Sequence, residues 1–425
     1  MRHLRRLLRP ILVLVFAAGM PTAVAQPSTP SPPSEGHADA HGHDHGEDHH
    51  GRVHADGVEG TRLLVAEAGG ATLLVLDLAS GAELARFGTP GPGIVHQLPD
   101  PQVAVVVHRA DHRVTFVHSG LTEIDHGDHA DLVEGLPYVL QTLNVGQQPT
   151  HFFASGNDLA FVNEGDGTVA WLDQRLLGVS LDYVALEGRE AGAGGVAVHD
   201  GHAYVGSART GLVDVVDRSG AIVATFGGCP AAQGPAPWAS GVAFGCSDGV
   251  LLVEARSGAT FAAHKVANPA GRPAGSPEGA RVDTVVGDPG SETLVGTFGQ
   301  GIVLIDPHAR SLTPVALTAS PLAMRFAEAG EVLVVLTADG VLHALEPSTG
   351  AVLRSVAAVD AFDAFAIGAV RPTMTVLGEH VYVADPLHAE IVEVHVDAFQ
   401  VERRLSVPFA PGGVAGLAIA GALQH

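Results

Sequence analysis

Residues 62–88 read RLLVAEAGGATLLVLDLASGAELARFG. Two apolar runs of strand length, Leu63–Ala66 and Leu73–Leu76, are separated by Ala68-Gly69-Gly70, and Asp77-Leu78-Ala79-Ser80-Gly81 turns the chain into a third run that ends at Gly88. Runs this short, bounded by Gly, Asp, Asn or Pro, are strands joined by tight turns rather than helices. The same phrase returns as LAFVNEGDGTVAWLD (159–173), HAYVGSARTGLVDVVDRSGAIVATFG (202–227), ETLVGTFGQGIVLIDPHARSLTPVALT (292–318), EVLVVLTADGVLHALEPSTGAVLRSVAA (331–358) and HVYVADPLHAEIVEVHVDAFQVERRLSV (380–407). A further short strand, such as GGVAVHDG or PLAMRFAEAG, usually precedes it. Four-stranded antiparallel units at a period of roughly 40 residues predict a β-propeller.

Units fall near 61–88, 93–146, 150–187, 195–227, 236–265, 281–317, 322–357 and 371–407. The expectation is an all-β chain forming one propeller of eight four-stranded blades. Seven is the alternative, because the fifth unit is irregular around GGCPAAQGPAPWASGVAFGC. The first unit lacks an inner strand, and GGVAGLAIAGA (412–422) is an apolar strand without a blade. Joining the two closes the ring and removes its open edges.

Outward from the propeller, which spans 59–425, the N-terminal part divides in two. Arg2, Arg5, Arg6 and Arg9, the apolar Ile11–Gly19 and Ala23-Val24-Ala25 predict a secretory signal over 1–25. No later apolar run approaches the ~20 residues of a membrane helix, so the mature chain is expected to be soluble and exported, without membrane insertion; the expected state is a monomer. Residues 26–58 are Pro/Ser-rich and then His/Asp-rich, and that composition is too polar to fold alone. Removing the four leader arginines takes the formal net charge from −23 to −27. Phosphate backbones are bound by clustered Lys and Arg, so nucleic acid is excluded as a partner. Cys229 and Cys246 are expected to form a disulfide in an oxidising compartment. A pair of metal thiolates is the weaker alternative, because no His or further Cys lies near them.

The titratable chemistry concentrates in His108–His151, which holds HRADHRVTFVHSGLTEIDHGDHADL and later GQQPTHFF. Imidazole nitrogen and carboxylate oxygen are zinc ligands, usually about four around the ion, and the absence of thiolate disfavours Cu(I). Within this stretch Asp125-His126-Gly127-Asp128-His129 is densest. The expected metal ligands are His126, Asp128, His129 and His151, with His108 and His112 as further candidates and Asp125 or Glu123 orienting a ligand ring. His37, His41, His43, His45, His49, His50 and His54 form a flexible metal-capture tract. Single histidines in strands (His96, His118, His199, His202, His264, His308, His343, His380 and His395) read as packing or hydrogen-bonding residues. His108, Asp111 and His112 fall in a loop between second and third strands, as do Glu164 and Asp166, and His388. His151 begins an inner strand at the same end. The motif joins them if Leu121–Ile124 is the second blade's outer strand, which is the preferred parse. If 140–145 is the outer strand instead, the motif leaves from the opposite end.

Asp77-Leu78-Ala79-Ser80-Gly81 and Gly146-Gln147-Gln148-Pro149 match the D-x-x-[ST]-G turn and G-x-x-P lead of the YVTN-type propeller family, which the repeat resembles. The signal, His/Asp tract, YVTN-like ring, DHGDH insertion and Pro149-Thr150-His151 strand together resemble the AztD-type periplasmic zinc metallochaperones. The resemblance implies capture of Zn2+ by the tract, a tighter site on the propeller at His126, Asp128, His129 and His151, and delivery to the zinc-binding protein of an ABC importer. The lead Gly192-Ala193-Gly194-Gly195 departs from it in having no histidine. Zinc has no ligand-field preference, so ligands can exchange one at a time. A protein-interaction or metal-storage propeller is one alternative, and a propeller metalloenzyme is another. Against the enzyme, the sequence shows no nucleophile motif, no haem attachment and only 5% aromatic residues.

Overall fold

The computed structural model describes residues 60–125, 130–180, 182–187, 194–257, 260–270, 279–288, 292–363 and 366–419. Its described strands form eight four-stranded antiparallel sheets and one two-stranded sheet, and two short 3-10 turns, Gln174–Leu176 and Glu328–Gly330, are the helical segments among them. Eight blades are therefore present. The irregular fifth unit is a complete one, built from Gln233–Trp238, Gly241–Cys246, Gly249–Arg256 and Thr260–Ala267.

The apolar runs are continuous because each blade is buried on both faces. In the first blade, Leu63, Val65, Leu74 and Leu76 pack against Tyr382, Ala384 and Ile391 of the eighth. Their alternates Leu64, Ala66, Leu73 and Val75 pack against Val95, Ala104, Val106 and Val117 of the second. Outer strands keep one face in water, and Val401–Ser406 alternates half-buried and exposed residues along its length. The ring closes as expected. Pro411–Leu417 pairs antiparallel with Arg62–Glu67, with Arg62 opposite Leu417, and becomes the first blade's innermost strand. Cys229 and Cys246 form a disulfide, both fully buried, tying the lead into the fifth blade to the end of its second strand.

Between 119 and 146 the preferred parse is corrected. The second blade runs Ile94–Gln97, Val103–His108, Arg113–His118 and Tyr138–Leu143, so 138–143 is its outer strand. Leu121–Asp125 pairs instead with Ala130–Glu134 as an inserted hairpin. In such an up-and-down blade, the hairpin leaves from the end that carries the first-to-second and third-to-fourth strand turns, here the lower end. The second-to-third loops and the leads between blades lie at the upper end. The hairpin base is built for this seat. Leu121 is fully buried, Gly135 N donates to Gly120 O at 2.8 Å, and the buried Arg62 donates to Ser119 O and to Gly135 O. Gly120 has φ of +80°, and a Cβ there would meet Leu136 O at 2.4 Å, so glycine is required. Gly60 lies so close to Leu132 that a Cβ would stand 2.6 Å from Cδ2. The chain thus enters the ring against the hairpin.

Candidate metal centre

At the upper end, the second-to-third loop of blade two meets the lead into blade three. His112, in the left-handed region at φ 57°, accepts through Nδ1 from Gln148 N at 2.9 Å. Arg109 donates to Gln148 Oε1 at 3.2 Å and to Glu164 Oε2 at 3.0 Å. Glu164 Oε1 lies 3.6 Å from His151 Nε2. Burial pulls the His151 pKa below its ordinary value while Glu164 opposes the shift, which favours the neutral, ligating ring. His112 and His151 therefore converge on one lead, and Glu164 supplies a carboxylate beside them.

His108 does not join them. It is fully buried, its Nδ1 donates to Gly91 O at 2.8 Å, and its Nε2 accepts from Thr115 Oγ1 at 3.1 Å. Both nitrogens are used, so the ring holds the core together and offers no lone pair to an ion. His126, Asp128 and His129 lie outside the described residues, as does the tract from His37 to His54. The strands flanking 126–129 leave from the lower end, whereas His151 begins its strand at the upper end, and the sheet order does not unite them.

Two further clusters lie in the eighth blade. At the lower end, His380 and His395 are register partners with ring centroids 5.1 Å apart. Glu402 Oε2 lies 3.1 Å from His380 Nε2, and the three side chains could share an ion. His395 Nδ1 accepts from Asp397 N at 3.1 Å, which puts the proton of its neutral ring on Nε2, so His395 ligates through Nε2 only when that bond is given up and the proton moves to Nδ1. At the upper end, the buried Asp385 accepts from His388 Nδ1 at 2.8 Å, which raises the His388 pKa. His388 Nε2 points outward, 3.7 Å from Asp360 Oδ2. A carboxylate holding one ring nitrogen while the other faces out is how proteins present a ligand imidazole. Asp385, His388 and Glu390 are also close enough to share an ion. Sequence reading placed His388 in its loop but passed over His380 and His395. The missed signal was symmetry, because residues equidistant from the loop centre of a hairpin must face one another.

No protein-family model matches the chain. Over 368 residues, 82% of this chain and 85% of the relative, it is 26% identical to the zinc chaperone AztD of Citrobacter koseri. It is similar in fold to the crystal structure of Citrobacter koseri AztD, with a TM-score of 0.74 and 23% identity, covering 84% of this chain and 98% of that one. For the apo form of the same protein the TM-score is 0.73 and the identity 22%, over 85% and 99% of the two chains. The AztD-type resemblance read from sequence motifs thus extends over most of the ring.

Proposed function

We propose that this AztD-type propeller is a zinc-binding metallochaperone, a carrier rather than an enzyme. In this reading it acts in the periplasm after removal of residues 1–25 and passes Zn(II) to the solute-binding protein of a zinc ABC importer. The single observation that carries this reading is the sequence likeness to the zinc chaperone AztD. The placement of the inserted hairpin supports it. The tract ends at His54, and only residues 55–59 precede Gly60, which packs on the hairpin that carries 126–129. A tract joined covalently to the ring raises the local concentration of the ion it collects. His126, Asp128 and His129 are proposed as the tight ligands, and His151, Glu164 and His112 as a separate, weaker position at the upper end. Handover to an acceptor proceeds by stepwise ligand exchange and releases no free ion.

Zinc titration against a competing chelator tests this. The chain lacking 26–58 is expected to keep one tight equivalent while loading more slowly. The double variant His126→Ala/His129→Ala should lose that equivalent while remaining folded by circular dichroism. Unaltered affinity in the double variant would remove the ligand assignment, and absence of tight zinc binding in the full chain would remove the chaperone reading.

A further inference from the structure

Neither the hairpin nor the position around His151 uses the imidazole of His388. It stands in the eighth blade's second-to-third loop, between His380–Asp385 and Glu390–His395, and that loop is wrapped around a carboxylate. Asp385, only 2% exposed, accepts at Oδ1 from Leu387 N at 3.0 Å and from His388 N at 3.3 Å. Its Oδ2 accepts from His388 Nδ1 at 2.8 Å. Val407 N donates to Ala389 O at 2.8 Å and closes the loop from behind. With its proton on Nδ1, the ring turns the Nε2 lone pair outward. Unlike His108 and His395, His388 therefore offers a nitrogen without giving up a hydrogen bond.

The lead from the seventh blade faces that nitrogen, and it too is pinned. Ala358 N and Val359 N both donate to Gly340 O, at 3.0 and 3.2 Å, and Phe362 N donates to Ala338 O at 2.7 Å. Gly340 has φ of +80°, and a Cβ there would stand 2.0 Å from Val359 O, so the lead lies directly on this glycine. Arg404, on the outer strand Val401–Ser406, donates to Ala358 O at 2.9 Å and also to Glu390. These bonds bracket Asp360 and fix the backbone that carries it. Asp360 Oδ2 lies 3.7 Å from His388 Nε2 and pairs with no Lys or Arg among the described residues.

Asp385, Asp360 and Glu390 bring three negative charges to this corner, and Arg404, on Glu390, offsets one. Two charges remain around a neutral ring, which is what a divalent cation balances. An imidazole among the ligands selects Zn2+ over Mg2+ and Ca2+, which take oxygen. We propose that the upper end of the eighth blade is a separate Zn2+ position, with His388 Nε2 and the Asp360 carboxylate as ligands. Asp385 orients the ring, and water takes the remaining places. Two protein ligands, against the four of a structural zinc site, make the binding weak and the exchange fast. The position lies apart from the ligands proposed above, so either assignment can fail without the other.

The test is carbethoxylation of the full-length protein by diethyl pyrocarbonate, which attacks a free imidazole nitrogen. The rate at His388 is read by peptide mass spectrometry as ZnCl2 is raised, and it is expected to fall saturably. The same protection is expected in His126→Ala/His129→Ala and in the chain lacking 26–58. Asp385→Asn should raise the zinc concentration for half-protection about tenfold, and Asp360→Asn by at least as much. An unchanged His388 rate in zinc overturns the proposal. So does protection that Asp360→Asn does not shift, and because Asp360 is exposed that variant decides the matter even if Asp385→Asn does not fold. Protection that disappears with residues 26–58 would place the ion on the tract and overturn the site. Equal protection by CaCl2 overturns the choice of ion.

Discussion

Enclosing a neutral imidazole shows itself in the pH dependence of stability. The ring holds the His96 pKa at about 4 against 6.5 in the unfolded chain, so the unfolded state takes up the proton first as pH falls. The stability that depends on keeping His96 neutral is intact above pH 6.5, declines below it, and is fully lost below about pH 4. The amount at stake is on the order of 3 kcal/mol. Denaturant titrations should therefore show a shallower loss between pH 6.5 and 4 for His96→Gln than for the parent, and identical slopes would refute this account. At the scale of single residues the sequence is a poor guide. His108 opens the stretch richest in candidate ligands, yet Gly91, seventeen residues upstream, takes one of its nitrogens. His380 and His395 looked ordinary because each acquires its partner only through strand register. Whether a nitrogen is free is decided by what the fold brings against it.

The inserted hairpin depends on Arg62, which crosses from the first blade to the carbonyls of Ser119 and Gly135. Replacing Arg62 with Met leaves both oxygens without this donor, at a cost of about 2 kcal/mol. Amide exchange over 121–125 and 130–134 should quicken while the second blade's own strands stay protected, and zinc affinity should drop with it. Unchanged exchange would show that the hairpin is held some other way. The blades themselves were legible, because a strand packed between two neighbours must be apolar throughout, and that pattern repeats. The hairpin was misread because Leu121–Asp125 and Tyr138–Leu143 are equally good strands on local evidence. Which of them pairs with Arg113–His118 is settled by a register shift between Phe116 and Val117 and by the burial of Leu121.

At the level of the whole ring, closure rests on Pro411–Leu417. Deleting 411–425 would strip the first blade of its innermost strand and leave Arg62–Glu67, buried along almost its full length, with an open edge. We expect such a chain to lose its single cooperative thermal transition and to bind a hydrophobic dye; a melting temperature within a few degrees of the parent would argue that closure is dispensable. That closure also orders events during synthesis. Three strands of the first blade are made before any other blade, yet their innermost partner, Pro411–Leu417, follows all seven of the others, so the nascent chain carries an unpaired apolar border in the meantime. Until its own closing strand arrives, that border can accept the same segment from another copy, and strand exchange between molecules is the hazard this architecture carries.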